Sequence, residues 1–172
     1  KQARQMAIET GQSSADAADA LFFITSAGLK GAEAMEVLNA SLKASSVGLG
    51  DVSGIADLAT SAMNAYGSET LTASGATDVL VAAVREGKLS SEELASSMGR
   101  VLPTASALGV SFNDVGAAMA AMSRTGTNAS EGATQLNAIL MALTKTTPAQ
   151  DKAFKAMNLS AAGLRKQIKE EG

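Results

Sequence analysis

The residues of this chain that could do chemistry are carboxylates, because the sequence contains no histidine and no cysteine. The pairs Asp16 with Asp19 and Glu92 with Glu93 could serve as an acid and a base if they met in a cleft. Both pairs, however, fall at the start of a predicted helix, where the helix dipole stabilises negative charge. Helix capping therefore explains them. We predict no catalytic residue, no cofactor-binding residue, no metal ligand and no enzymatic activity.

Three glycines in one predicted loop, Gly48, Gly50 and Gly54, suggest a phosphate-binding loop at first sight. A dinucleotide-binding fingerprint, however, needs its third glycine at position 53, which is Ser53, and no strand precedes the loop. The Gly-x-x-x-Gly spacing of Gly50 and Gly54 more often reflects capping outside a membrane. We therefore predict neither a nucleotide site nor any other cofactor.

The elements that position these residues are short helices separated by glycine. Six glycines directly follow apolar segments at intervals of 17 to 22 residues: Gly28, Gly48, Gly67, Gly87, Gly109 and Gly126. Glycine ends helices because, without a Cβ, it enters the left-handed region at no steric cost. No alternating pattern typical of strands appears. We therefore predict an all-α fold, a compact cluster of about eight to ten short glycine-capped helices with helical extensions at both ends.

The predicted helix starts carry side chains that accept hydrogen bonds from the first free backbone N–H groups. These caps are Ser13 or Ser14, Asp51, Ser90 and Ser91 with Glu92 and Glu93, Ser111 with Asp114, Asn128, Asn158 and Ser160. Pro103 predicts a boundary or bend at Leu102, because proline cannot continue a helix from the preceding turn. Pro148 predicts the start of a short helix that contains Phe154 and Met157.

Apolar residues at helical spacing predict which faces are buried. Three such faces stand out: Met35, Leu38 and Leu42; the stripe from Val52 to Tyr66; and the seam Leu136, Ile139, Leu140 and Leu143. The chain has 35 alanines but only five aromatic residues, so the core is expected to be thin. Since large side chains bury more apolar area, an alanine-built core predicts modest stability.

Charge is distributed unevenly along the chain. The whole sequence has a net charge of −3, which argues against nucleic-acid binding. Residues 11–144 carry six Lys/Arg against thirteen Asp/Glu, a net of −7, whereas residues 145–172 carry six against three, a net of +3. The basic end is interpreted as a solvated helix face, with contact to an acidic partner as the alternative. No apolar run is long enough to predict a membrane span.

The order of segments over residues 13–157 resembles the core region of phage tail tape-measure proteins. The landmarks are Asn64-Ala65-Tyr66-Gly67 at a helix end, the helix around Asp78, the proline segment from Leu102 to Gly109, and Gly132-Ala133-Thr134 before Leu136. The family usually has Ala-Gly-Thr-Ala where this chain has Glu131-Gly132-Ala133-Thr134, a slight departure. The predicted domains are the end of a preceding helix at 1–12, the helical core at 13–157, and the start of a basic helical extension at 158–172.

The resemblance implies a structural virion protein that lies in the tail tube, sets tail length during assembly and leaves with or ahead of the DNA. It implies no enzymatic residues in this region. The implied partners are tail-tube and tail-tip proteins and tail assembly chaperones, and the implied assembly is a homo-oligomer of three or six copies. Neither a direct nucleic-acid site nor a membrane span is expected in this segment. The implied location is the tail lumen or tip of the virion, and the host cytoplasm during assembly.

Glycine spacing bears on how such a ruler would be built. As one continuous helix, 172 residues would reach about 260 Å at about 1.5 Å per residue. Folded compactly, they have a radius of gyration of about 16 Å. Because the glycines favour the compact form, we predict a docking or assembly domain near the tail tip or tube end. The thin core predicts a domain weak enough to rearrange or unfold when the tail opens. The alternative function is an α-helical interaction scaffold of cellular origin that has no role in a tail.

Overall fold

A computed structural model describes residues 1–144 and 146–171, and within these ranges the chain forms eleven helices and no strand. The helices are α1 (Gln2–Glu9), α2 (Ser14–Ser26), α3 (Gly31–Ser46), α4 (Val52–Tyr66), α5 (Ala73–Glu86), α6 (Ser91–Met98), α7 (Leu102–Leu108), α8 (Phe112–Arg124), α9 (Ala129–Thr144), α10 (Pro148–Ala156) and α11 (Ala161–Glu171). The predicted all-α fold is confirmed.

Local capping chemistry begins most of these helices where the sequence predicts. Four caps illustrate it: Ser13 Oγ accepts from the Asp16 N–H, Asp51 Oδ1 from Gly54, Asn128 Oδ1 from Glu131, and Ser160 Oγ from Gly163, at 2.9 to 3.0 Å. Ser90 and Glu93 form a reciprocal capping box at the start of α6. Asn158 is the exception to the predicted caps. It has a φ of +55° after α10, a left-handed position that asparagine tolerates, while Ser160 caps α11 as predicted.

Glycines end the helices as predicted, with one exception. Five of the six glycines predicted to end helices have a positive φ, between +80° and +99°: Gly28, Gly48, Gly67, Gly109 and Gly126. Gly87 follows α5 but is extended, with φ −100° and ψ −171°, so the left-handed conformation predicted for it is wrong. The close packing around Gly87 explains why this residue is a glycine. A Cβ there would lie 2.7 Å from the Ala83 carbonyl oxygen and 3.1 Å from Ala120 Cα. Glycine is needed at this position because α5 and α8 approach closely.

The proline segment adds a helix to the predicted set. Leu102 is the first residue of α7 and Pro103 the second, so the predicted boundary at Leu102 is confirmed. Proline is tolerated there because the first-turn N–H has no partner within the helix. The Ser106 hydroxyl donates to the Ala65 carbonyl oxygen at 2.6 Å, which ties α7 to the end of α4.

Helix α4 lies at the centre of the core and packs against α2, α3, α5, α6 and α7. Within the described residues, 37 apolar side chains are buried, and 16 of them are alanines, so the core is built largely from small residues. Phe112 is the buried aromatic residue among them, and its ring meets Tyr66 edge-on at 5.9 Å. Phe22 and Phe23, in contrast, are exposed on α2.

The apolar seam predicted along α9 is buried only in part. Leu140 is 5% exposed and Leu136 and Leu143 are half-buried, but Ile139 is 58% exposed. The prediction that Ile139 is buried is therefore wrong. Periodicity identifies an apolar face without showing whether another element covers all of it.

The two ends of the chain differ in how they pack. Ala7 of α1 is completely buried against α2 and α3, whereas α10 has no buried residue. The division into 1–12, 13–157 and 158–172 stays a prediction. Among the described helices, none is both long and apolar enough to cross a membrane.

Candidate functional site

The four carboxylates that could have formed catalytic pairs are exposed, and three of them lie in first turns of helices, whereas Asp19 is the sixth residue of α2, beyond the predicted position. Asp16 lies in the first turn of α2, and Glu93 closes the capping box of α6. Hydrogen bonds lower the pKa of Glu92, first from its own backbone N–H and then from the Ser90 side chain. Over residues 1–144 and 146–171, no three Asp or Glu side chains converge as they would around a metal ion. Asp16, Glu92 and Glu93 therefore lie where they stabilise the starts of their helices.

The glycine loop is a packing contact between helices. A Cβ on Gly50 would collide with the Ser91 hydroxyl at the start of α6, so the loop between α3 and α4 rests directly on α6. The Gly54 N–H donates a hydrogen bond to the Asp51 carboxylate at 2.9 Å. The capping that the sequence suggested for this pair of glycines is therefore found at Gly54, while Gly50 allows the close approach to α6.

An apolar groove runs between α8, α9 and α11, and we call it the α9 groove. It encloses about 490 Å³ and is lined by Val110, Val115, Leu136, Ile139, Leu140, Leu143, Leu164 and Ile168, with Asp114 and Gln167 as polar residues. Ile139 is the most exposed of its large side chains. A concave apolar surface with few polar groups suits the apolar face of another helix.

Helix α11 forms one wall of the α9 groove. Leu164 and Ile168, four residues apart on one helix face, are half-buried there. Arg165 reaches the other way, and its guanidinium donates to the carbonyl oxygens of Leu143 at 2.7 Å and Thr144 at 3.2 Å. Since the last carbonyls of a helix have no partner within it, Arg165 acts as the C-terminal cap of α9.

Replacing Arg165 with alanine is expected to loosen α11 and lower the free energy of unfolding by about 1 kcal/mol, the value of a partly exposed hydrogen bond. The measurement is hydrogen–deuterium exchange, which should speed up across α11 and stay unchanged in α4. Lys166→Ala is the matched control, because Lys166 makes only an exposed contact of 3.7 Å with Glu170. Equal exchange in the two variants would contradict the capping role of Arg165.

Exposed aromatic side chains form a second apolar surface on α2. The rings of Phe22 and Phe23 meet edge-on at 6.0 Å, and the two side chains are 67% and 45% exposed. Leu21, on the same helix, faces a cavity of about 770 Å³ that Met6 and Met35 also line. Neither this surface nor the α9 groove was found from the sequence. The available signal was the pair Leu164 and Ile168, which marks an apolar face on the last helix.

Tyr66 lies beside the α9 groove residue Asp114. Burial, and then the negative charge of Asp114, raise the pKa of the Tyr66 phenol from 10.0 to about 12. The hydroxyl oxygen is buried and has no hydrogen-bond partner among the described residues. The neutral phenol is therefore favoured in the folded protein.

A tyrosine titration is expected to show this shift directly, because Tyr66 is the one tyrosine in the sequence. The folded protein holds the phenol proton more tightly than the unfolded chain, so this contribution to stability is present below pH 10 and is lost as the pH rises to about 12. Phenolate absorbance should titrate near 12 in the native protein and near 10 in urea. Tyr66→Phe should remove that part of the alkaline destabilisation. Identical midpoints in both states would contradict the burial effect.

An all-helical body that presents apolar grooves has the character of a structural protein that works through contacts with other proteins. The sequence profile of the phage-related minor tail proteins matches residues 1–170. The chain belongs to this family of structural phage tail proteins, and the resemblance to the phage tail tape-measure proteins is confirmed.

A relative in another phage is described as a tape measure protein. The "Tape measure protein" of Pneumococcus phage Dp-1 is 27% identical to this chain over 159 residues, which are 92% of this chain and 14% of the relative. The chain therefore spans about one seventh of the length of the curated relative that it matches. No solved structure matches the chain.

Proposed function

We propose that this chain is the compact docking or assembly segment of a tape-measure protein that sets tail length and takes part in the passage of DNA at infection. Membership of the minor tail protein family supports a tail role over a cellular scaffold. The partners in this proposal are tail-tube proteins, tail-tip proteins and tail assembly chaperones, with three or six copies per tail. The location is the tail lumen or tip of the virion, after assembly in the host cytoplasm.

The observation that supports this proposal is that the chain folds back on itself as short helices that pack together. Within residues 1–144 and 146–171 the longest helices, α3 and α9, have 16 residues each, so each is about 24 Å long at about 1.5 Å per residue. An extended ruler segment of the same sequence would be about 260 Å long. Because α4 packs against five other helices, this segment contributes a folded body to the tail rather than length.

Tail length in phage that carry a tandem duplication of this segment tests that role. A compact segment adds little, whereas a continuous helix adds about 260 Å per copy. Electron microscopy of the assembled tails gives the measurement. Lengthening near the full helical value would contradict the compact docking role and show that the segment is extended in the tail.

A surface variant tests whether docking uses the α9 groove. Ile139→Asp places a charge on the groove at an exposed position, so the fold tolerates it while the apolar contact is lost. We expect fewer complete tails and weaker copurification with tail-tip or tail-tube proteins. Val47→Asp is the matched control, since Val47 is 71% exposed and lies outside the groove. Equal tail yields from both variants would show that docking does not use the α9 groove.

We also propose that this domain is weak enough to rearrange when the tail opens. The alanine-rich core supports this, because each buried alanine contributes less apolar area than a larger side chain. The midpoint of thermal unfolding is expected well below about 90 °C, the range of hyperstable domains. Circular dichroism of the purified chain measures it, and a midpoint above that range would contradict easy unfolding.

A further inference from the structure

We propose that an aromatic ridge on one copy of this chain binds in a methionine-lined cavity on a second copy. The ridge, which we call the α2 ridge, consists of the exposed rings of Phe22 and Phe23. The cavity, which we call the α2 cavity, encloses about 770 Å³ and is lined by residues of α1, α2 and α3. This inference concerns contact between copies of the purified chain and does not rest on the tail role.

The α2 ridge leaves two of the chain's four phenylalanines exposed to solvent, although alanines fill much of the core. Phe22 and Phe23 are 67% and 45% exposed, and their rings meet edge-on at 6.0 Å. They lie on the side of α2 that faces away from its buried residues, which are Ala17, Ala20 and Ile24. Two exposed aromatic rings in contact, unlike a single exposed apolar residue, are typical of a surface that binds protein.

The chemistry of the α2 cavity suits aromatic rings. Met6, Leu21 and Met35 line it, and all three side chains are half-buried. Methionine adapts its shape to the group it contacts, and its sulfur interacts favourably with aromatic rings. The volume also lies within the range of about 300 to 1,000 Å³ that is typical of binding pockets.

The ridge of one copy cannot enter the cavity of the same copy. Leu21 and Thr25 of α2 form part of the cavity wall, so the helix that carries the ridge also builds the cavity. Among the described residues, Phe22 and Phe23 are not part of the cavity lining. Because the ridge and this wall belong to one helix, the ridge and the cavity can meet only between two copies.

Charge complements the apolar match. Asp19 is exposed beside the ridge, three residues before Phe22 and therefore on the same side of α2. Lys30 is exposed at the edge of the cavity, directly before Gly31, which lines it. Among the described residues, neither Asp19 nor Lys30 belongs to an ion pair. The ridge and the cavity thus carry opposite charges that are not compensated within the chain, as a contact between identical copies requires.

One carboxylate of the cavity sets the orientation of the contact. Glu36 lines the α2 cavity and would repel Asp19 of an incoming ridge. An orientation that brings Asp19 towards Lys30 and away from Glu36 is therefore favoured. The aromatic rings supply the apolar contact, and the charges select one way of forming it.

Complementation between two blocked variants tests the contact. Phe22→Asp places a charge on the ridge and leaves the cavity intact, whereas Ala32→Trp fills the cavity and leaves the ridge intact. Both positions are exposed, so circular dichroism should show the helix content of the unsubstituted chain. In analytical ultracentrifugation we expect the unsubstituted chain to associate as its concentration rises, and each variant alone to associate at least about tenfold more weakly.

An equimolar mixture of the two blocked variants is expected to regain association. It should stop at a dimer with one copy of each variant, because the mixture offers the intact ridge of one variant and the intact cavity of the other. A mixture that associates no better than either variant alone overturns the proposal, as does an unsubstituted chain that stays monomeric at every concentration.

Val47→Asp is the matched control for Phe22→Asp, because Val47 is 71% exposed and does not line the α2 cavity. It should associate like the unsubstituted chain, and equal association of these two aspartate variants contradicts a role for the ridge. Reversing charges gives an independent readout. Asp19→Lys should weaken association, and adding Lys30→Glu to the same chain should restore it. A double variant that associates no better than Asp19→Lys alone also overturns the contact.

Discussion

Replacing Gly87 with alanine is expected to lower the free energy of unfolding by about 2 to 3 kcal/mol, in the upper range for overpacking. A Cβ at this position would lie 2.7 Å from the Ala83 carbonyl oxygen, 2.8 Å from Ser123 Oγ and 3.1 Å from Ala120 Cα. Two of these atoms belong to the backbone, so they cannot turn aside as a flexible side chain does. The added methyl group must disturb the end of α5, through Ala83, and push α8 away, through Ala120 and Ser123, and urea-induced unfolding measures the cost.

The effect should extend to a hydrogen bond at the same place. Ser123 Oγ accepts from the Lys88 N–H at 2.9 Å and donates to the Ala120 carbonyl oxygen at 2.7 Å. Gly99→Ala is the matched control, because Gly99 has φ −53° and open space around it. The control should change stability by less than about 0.5 kcal/mol. A Gly87→Ala protein as stable as this control would show that the two helices are not in close contact at Gly87.

Truncating Ile55 to alanine is expected to cost about 3 to 4 kcal/mol, because the variant loses buried apolar area and leaves a cavity. Ile55 is 1% exposed and lies on α4, the helix that packs against five others. Because 16 of the 37 buried apolar side chains are alanines, which cannot extend into a cavity, we expect the core to fill the space poorly. In a protein with a thin core this loss is a large part of the total stability, and the variant should be largely unfolded at physiological temperature.

Ile139→Ala is the control for this truncation, since it makes the same chemical change at a position that is 58% exposed. It should alter the free energy of unfolding by less than about 0.5 kcal/mol. Thermal unfolding followed by circular dichroism measures both variants. Similar midpoints for the two would contradict the central position of α4.

The parts of the fold that could be predicted are those decided by neighbours in the sequence. Caps such as Asp51 and Ser111 act within three residues, so the pattern alone locates the helix starts. Asn158 was assigned to the wrong role because asparagine suits both a cap and a left-handed turn, and Ser160 stands two residues later. Local chemistry permitted both arrangements there.

The parts that could not be predicted depend on residues far apart in the chain. The conformation of Gly87 is set by Ser123 and Ala120, more than 30 residues away. The exposure of Ile139 depends on where α11 lies, which periodicity does not reveal. The α9 groove was missed for the same reason, since it exists only where three helices meet. The family could be recognised without knowledge of these contacts, because the resemblance rests on the order of segments along the chain.

The order in which helices pack around α4 bears on how the chain folds during synthesis. Helices α1 to α4 contact mainly one another, and all four lie within the first 66 residues. Their mutual contacts are complete once Tyr66 has left the ribosome, and at about 5 to 20 residues per second this precedes the end of α9 by several seconds. We therefore expect α1 to α4 to associate first in the nascent chain, and α5 to α9 to pack onto them as they are synthesised. In such sequential folding, most contacts form between helices that are close in the sequence. The apolar faces of the early helices are then exposed to solvent for only a short time.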